Sequence, residues 1–384
     1  MVISREQLEA REDGILAPFA VRSAQSGGRH YPEAEPAYRT AFQRDRDRIV
    51  HSAAFRRLEY KTQVFMSEEG DYNRTRLTHT LEVAQIGRTI ARALAVNEEL
   101  VEAICLAHDL GHPPFGHAGE RALDAALRDN GGFNHNLQSY RVVTRLESRY
   151  AGWPGLNLTR EMLFGLAKHE TDFALSEAAG LDPNLRGSLE AQIANAVDEL
   201  AYNAHDLDDG LNAGLLEPAA LEEVALWRRL TEETPVVKGA PLDEVTRHTL
   251  IRALVGLLVD DMIAATEARL VRLAPQSPDE IKRAPGALAG FSPPMAEQVA
   301  ELKRYLYAHM YGSWRIVRMQ HRAERFVTAL VEAFVADPRQ MPPQAMAAVE
   351  RVGVHRAVAD TVASMTDRGA LLEYRRLFDP AASP

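Results

Sequence analysis

Between Cys105 and Glu120 the chain reads Cys-Leu-Ala-His-Asp-Leu-Gly-His-Pro-Pro-Phe-Gly-His-Ala-Gly-Glu, so His108, His112 and His117 share a short stretch with Asp109 and Glu120. The apolar run Ala103–Ala107 leads straight into His108-Asp109. Ionisable groups at the end of an apolar helix are costly to bury unless they are paired or bind metal. Gly111, Pro113, Pro114 and Gly116 then force a rigid turn. His117 and Glu120 follow three residues apart, on one face if a helix resumes. Helix capping on a surface loop would account for one such residue. Five together point to a metal-assisted hydrolase site, with His108 and Asp109 as ligands and His117 and Glu120 beside them for proton transfer.

Other elements must complete such a site. The spacing predicts an amphipathic helix over 74–95, with His79 on the same face as Val83, Ile86 and Ile90. A second helix, 98–107, delivers His108-Asp109. Gly131-Gly132 make a break, and a helix then starts near Phe133 with His135 in its first turn, an end suited to anions. Thr159 is placed to cap a helix running to Lys168-His169, with Glu161 in its first turn. Farther on, Asp198, Tyr202 and Asp206 recur at i, i+4 and i+8, so one helix face carries two carboxylates and a phenol.

The flanking sequence fits an all-α protein. Residues 1 to about 38 read as an irregular arm with a short helix over 8–19. Residues 39–62 hold seven Lys/Arg against three Asp/Glu. Arg44, Arg46 and Arg48 suit either a salt-bridged face or an anion, whereas Arg56, followed at once by apolar positions, is expected to point inward at one. Helices are expected over 220–231, 243–273, 296–310, 314–335, 343–365 and 369–378, with Pro-rich breaks at 234–241 and 274–294. No alternating run long enough for a strand occurs. The expected organisation is an arm with the Arg-rich segment (1–73), a metal-site core (74–210) and a helical C-terminal region (211–384), packed as one globular unit.

Composition narrows the classes. Of 384 residues 46% are apolar, enough for a substantial core. A net charge of −10 argues against nucleic acid as the default ligand. Cys105 is the one cysteine, so no disulfide forms within the chain, and with no visible signal peptide the expectation is cytoplasmic. The longest apolar run, 253–259, is far short of the roughly 20 residues a membrane helix needs.

Two neutral imidazoles and two carboxylates from separate elements, His79, His108, Asp109 and Asp198, would balance a divalent cation. Mixed N/O ligation suits Mn²⁺ or Mg²⁺, and equally admits Fe²⁺, Ni²⁺ or Zn²⁺. No Walker A loop exists, so phosphates would fall to Arg56, Arg76 and Lys168.

The order His79 … His108-Asp109 … Asp198 resembles the HD-domain phosphohydrolase superfamily. Phe55–Phe65, Arg76-Leu-Thr-His79, the His108–Glu120 block, Asp198–Asp206 and Met365-Thr-Asp-Arg368 together resemble the deoxyguanosinetriphosphate triphosphohydrolase family, over most of the chain. The resemblance implies an HD-domain helical bundle with an extended helical C-terminal region. It also implies hydrolysis of a deoxynucleoside triphosphate to deoxynucleoside and triphosphate, by attack at the α-phosphorus. His117, oriented by Glu120, would handle the proton or activate the water. A water held by the cation is the other nucleophile. His112 and His135 would contact the α-phosphate. Arg56, Arg76 and Lys168 would neutralise the triphosphate. Gln63, Tyr202 and Asp206 would read the 3′-hydroxyl and exclude ribose.

His169 stands where relatives tend to carry Tyr, which leaves its role open. This chain is shorter than the guanine-specific branch, so base preference is open too. The family also implies a homo-oligomer and a nucleotide effector, for which Arg315 and Arg318 are candidates alongside a plain charged face. The competing readings are another HD phosphohydrolase (a nucleoside monophosphatase or phosphodiesterase) and a nucleotide sensor or single-stranded nucleic-acid binder.

Overall fold

A computed structural model describes residues 2–63, 74–169, 180–234 and 242–382. Val64 and Phe65 of the motif above, and positions 235–241 of the first Pro-rich break, lie outside these residues. Among the described residues there is no strand, only isolated bridges such as Arg29 with Thr159, so the protein is all-α.

Helices α1 to α6 are Arg5–Ile15, Ala41–Val50, Ala53–Arg57, Arg76–Ala93, Glu98–Ala107 and Gly116–Ala126. Helices α7 to α12 are His135–Arg141, Arg160–Ala167, Leu189–Asn212, Pro218–Leu221, Ala225–Glu233 and Glu244–Leu273. Helices α13 to α18 are Pro278–Lys282, Pro293–Leu306, Trp314–Ala336, Pro343–Val352, Val354–Ala363 and Asp367–Phe378. These form two compact units: Met1–Arg46, His79–Cys105 and Thr159–Ile316 make the first, and Asp47–Thr78, Leu106–Leu158 and Val317–Pro384 the second.

The first unit is built on α9. Ser188 caps it through the amide of Ala191, and Ile193, Val197, Leu200, Ala204 and Leu207 are buried at helical spacing. It packs on α12, which offers Leu250, Leu254, Leu258 and Met262 at four-residue intervals. Gly165 of α8 allows close packing, because a Cβ there would lie 2.4 Å from Ile104 Cδ1. The sole cysteine, Cys105, is buried, and desolvation drives its thiol far above the usual range. In the second unit Phe115, Leu123 and Phe133 share one core with Val327, Leu330, Phe334, Val358 and Val362.

Four expectations are corrected. The N-terminal helix runs from Arg5, where Ser4 and Gln7 form a capping box, and ends at Ile15. The segment expected as one helix over 343–365 is two helices. Gly353, at φ 80°, takes a backbone conformation that favours glycine and breaks the run. The expected break at 274–294 contains α13, capped by Ser277. Arg56 does not point inward: it lies in the last turn of the five-residue α3 and is exposed, with Ala54 and Phe55 filling the buried side.

The basic segment resolves into structural pairs. Arg44 bridges to Glu33 (2.6 Å) and Arg46 to Glu99 (2.9 Å). Buried Arg48 donates to the carbonyls of Leu156 and Asn157. Among the described residues no helix is long and apolar enough to cross a membrane.

Candidate active site

In the second unit the stretch after α5 is held from behind. Ser139 of α7 donates through Oγ to the His108 carbonyl (2.6 Å) and accepts from the Gly111 amide (2.8 Å). Gly111 must be glycine, since a Cβ there would lie 2.2 Å from the Ser139 nitrogen. Buried Lys61 donates to the carbonyls of His112 and Ala363. Desolvation, reinforced by Arg57 and Arg76, pushes its ammonium down to about 7. Phe115 and Gly116 both adopt positive φ (65° and 57°), and the Phe115 amide donates to Asp367 Oδ1 (2.8 Å). Asp367 Oδ2 accepts from the Thr62 amide (2.9 Å) and hydroxyl. The C-terminal Met365–Arg368 motif therefore anchors this turn.

On this frame Asp109 directs Oδ2 at Arg76 Nη1 (2.8 Å), and both residues are buried. Its Oδ1 faces His108 Nε2 (3.4 Å) and His112 Nε2 (3.2 Å). Burial alone would raise the Asp109 carboxyl. His108, Arg76 and His112 outweigh it and hold the group well below the usual range. Burial, with Arg76 and His135 nearby, keeps His112 neutral. His112 stacks on His135, with ring centroids 3.9 Å apart.

Glu120 binds both remaining histidines. Its Oε2 lies 3.1 Å from His117 Nδ1, and its Oε1 lies 2.7 Å from His135 Nδ1 and accepts from the His135 amide. Burial opposes ionisation of Glu120, but the bonds to His117 and His135 prevail and hold it far below the carboxylate range. His117 is 54% exposed at its side chain, so its Nε2 edge is reachable. Within this unit Asp109, His112 and His135, and likewise His112, His117 and Glu120, present ligand atoms close enough to share a cation.

In the first unit His79, on the buried face of α4, places Nε2 2.9 Å from Asp198 Oδ1 on α9. Its Nδ1 is 3.0 Å from His205 Nδ1, and His205 Nε2 is 2.6 Å from Glu82 Oε2. A neutral His205 that donates to Glu82 accepts from His79 Nδ1–H. That turns the His79 Nε2 lone pair toward a carboxylate oxygen, an arrangement a cation satisfies. Adjacent ligands of a divalent ion, each about 2.1 Å from it, sit roughly 3 Å apart. The 2.9 Å His79–Asp198 and 3.4 Å His108–Asp109 separations each fit that spacing. The relay through His205 and Glu82 was missed in the sequence, although the His205-Asp206 dipeptide stood in view.

His169 is buried, 3.8 Å from Asp198 Oδ2. Tyr202 bonds Tyr311, whose hydroxyl donates to Asp206 Oδ2 (2.7 Å), adding a phenol that the sequence reading did not single out. Burial, then Asp206 and Tyr202, drives Tyr311 well above the usual phenol range. Lys168 donates to the Asp182 carbonyl (2.7 Å). Gln63 is half-buried, and among the described residues its Oε1 has no hydrogen-bond partner. Arg315 is exposed, over the Trp314 ring.

An all-helical chain that carries these histidine–aspartate pairs on α4, α9 and the end of α5 is an HD-domain protein, and residues 76–203 match the HD domain. Residues 289–376 match the phosphohydrolase-associated domain. A relative from Geobacter sulfurreducens is 48% identical over 99% of both chains. One from Ralstonia pickettii is 50% identical over 95% of both. One from Deinococcus deserti is 48% identical over 99% of this chain and 98% of its own. Each bears the name deoxyguanosinetriphosphate triphosphohydrolase-like protein. The chain belongs to this deoxyguanosinetriphosphate triphosphohydrolase-like family and is an HD-type phosphohydrolase. HD domains bind divalent metals, and the imidazole and carboxylate donors present here fit one.

Proposed function

We propose that the chain hydrolyses a deoxynucleoside triphosphate to a deoxynucleoside and inorganic triphosphate, using a divalent cation held by His79, His108, Asp109 and Asp198, with Mn²⁺ or Mg²⁺ the first ions to try. The near-full-length likeness to relatives named for triphosphohydrolysis carries this reading. The cation, when bound, supplies charge neutralisation at the phosphoryl oxygens.

A bond forms between the water oxygen and the α-phosphorus, and the bond from that phosphorus to the 5′-oxygen breaks. One proton passes from the water to the departing 5′-oxygen. His117 is the group to carry it: Glu120 holds its Nδ1, which leaves Nε2 as the working atom. His135, on the other oxygen of the same carboxylate, and His112, stacked on it, would line the α-phosphate. Arg76 acts through Asp109, which it keeps ionised, while exposed Arg56 and half-buried Lys168 would meet the outer phosphates. Tyr202, Tyr311 and Asp206 form a hydrogen-bonded set suited to the 3′-hydroxyl, with Gln63 as a further contact.

The test is chromatography of products from each dNTP, singly and mixed, with Mn²⁺ or Mg²⁺. Deoxynucleoside with intact triphosphate is expected. A need for the mixture would add an effector. Nucleoside monophosphate with pyrophosphate, or stepwise phosphate release, would overturn the triphosphohydrolase assignment, because the bond from the α-phosphorus to the 5′-oxygen would then not be the one that breaks.

A further inference from the structure

One hydroxyl joins the two halves of the histidine cluster in the second unit. Ser139 is buried on α7, with no exposed surface. Its Oγ meets the His108 carbonyl (2.6 Å) and the Gly111 amide (2.8 Å). The amide can only donate, so it takes a lone pair of the oxygen, and the single hydroxyl proton goes to the carbonyl. Asp109 lies between the two anchored residues, and His112 follows directly on Gly111. The hydroxyl therefore fixes both ends of the segment from which Asp109 projects, and the start of the one from which His112 projects.

The same helix carries His135 one turn earlier, on the same face as Ser139. Asn134 caps α7 by accepting from the Leu137 amide (3.0 Å), which makes His135 its first residue. Gly111 leaves no slack between helix and turn. A Cβ there would lie 2.4 Å from the His135 carbonyl oxygen, as well as 2.2 Å from the Ser139 nitrogen. Packing at Gly111 stops the turn from coming closer to α7, and the two Ser139 bonds stop it from moving away. The rings of His112 and His135 then stack with centroids 3.9 Å apart. Glu120 holds His135 independently, through its amide and its Nδ1, so His135 stays in place if the turn shifts.

We propose that Ser139 is a positioning residue, whose hydroxyl sets where Asp109 and His112 stand against His135, and that turnover depends on that placement. This rests on the reading of His112 and His135 as the pair lining the α-phosphate. Ser139 touches no substrate; it acts through the His108 carbonyl and the Gly111 amide.

The test compares the full-length parent with Ser139→Ala and Ser139→Cys. Phe334→Leu is the control: it loosens the same core, farther along α15 than the Phe326 ring that meets Phe115. The first readout is kcat for dNTP hydrolysis with Mn²⁺, under conditions where urea unfolding shows each variant folded. The second is the ring signals of carbon-13-labelled histidines, because stacked imidazoles shift each other's resonances. Ser139→Ala is expected to lower kcat by roughly tenfold or more, as a small misplacement of reacting groups does, and to move the His112 and His135 signals. Ser139→Cys, a weaker donor and acceptor, should fall between it and the parent. Phe334→Leu should lose stability yet keep kcat within about twofold and leave both ring signals in place. A Ser139→Ala kcat within about twofold of the parent overturns the proposal. So does an equal fall in kcat for Phe334→Leu at equal loss of stability, which would make the role of Ser139 structural alone. Unmoved ring signals in Ser139→Ala overturn it whatever the reaction. A parent without dNTP turnover overturns the reaction proposed above, and the ring signals then decide the placement by themselves.

Discussion

Asp367→Ala tests whether the C-terminal segment holds the turn at Phe115. Asp367 is 3% exposed and accepts three hydrogen bonds, from the Thr62 amide, the Thr62 hydroxyl and the Phe115 amide. The hydroxyl can rotate to another partner, but the two amides cannot. A buried donor left unsatisfied costs about 1–3 kcal/mol, so two cost roughly 2–6. Against this, the variant removes a carboxylate whose burial is itself unfavourable, since desolvation raises its pKa despite the bonds it accepts. A net loss of about 3 kcal/mol is expected from the midpoint and slope of urea unfolding. Asp367→Asn keeps one acceptor oxygen and should lose about half as much. Turnover should fall with the alanine variant, because Phe115 sits at φ 65° and its amide bond to Asp367 helps hold that conformation just before His117. An Asp367→Ala protein within about 0.5 kcal/mol of the parent, the range of ordinary surface changes, would refute the anchoring argument.

Three further outcomes are expected. His117→Ala should lower kcat by about 10²–10⁴, the usual worth of a positioned proton carrier. Its metal content should match the parent, and lost metal would make His117 a ligand instead. His205→Ala should weaken metal binding by about 10–100-fold in a metal-buffered titration, as removal of an outer partner of a ligating imidazole does. Unchanged affinity would take the Glu82–His205 relay out of the metal site. Lys61 has its folded pKa depressed to about 7 against roughly 10.4 in the unfolded chain. Between those values the unfolded chain binds the extra proton, so this group adds stability as pH rises from 7 toward 10. Lys61→Met should flatten that rise in urea midpoints taken at pH 7 and 9, and equal slopes would show that Lys61 stays charged when folded.

Helix identity was legible wherever apolar spacing and caps agreed. Glu98–Ala107 emerges with the boundaries its sequence predicts, and α12 runs Glu244–Leu273 where a helix over 243–273 is expected. His79 was readable as buried because Val83, Ile86 and Ile90 share its face, and all three are buried. Long-range pairings left no local trace. Nothing near Asp367 reports that its partners are Thr62 and Phe115, and nothing near Glu120 reports that His135 claims its other oxygen. Arg56 misled because a five-residue helix turns through too few positions for apolar neighbours to set its direction. Lys61 instead takes the buried place.

The single buried cysteine has a practical consequence for optical work. Maleimide dyes react with accessible thiolate, and Cys105 offers neither access nor ionisation near neutral pH. One cysteine introduced at an exposed position, such as Arg128→Cys, can therefore carry a fluorophore with the native thiol left in place. Emission from that dye would then report ligand addition in real time on an otherwise unaltered chain.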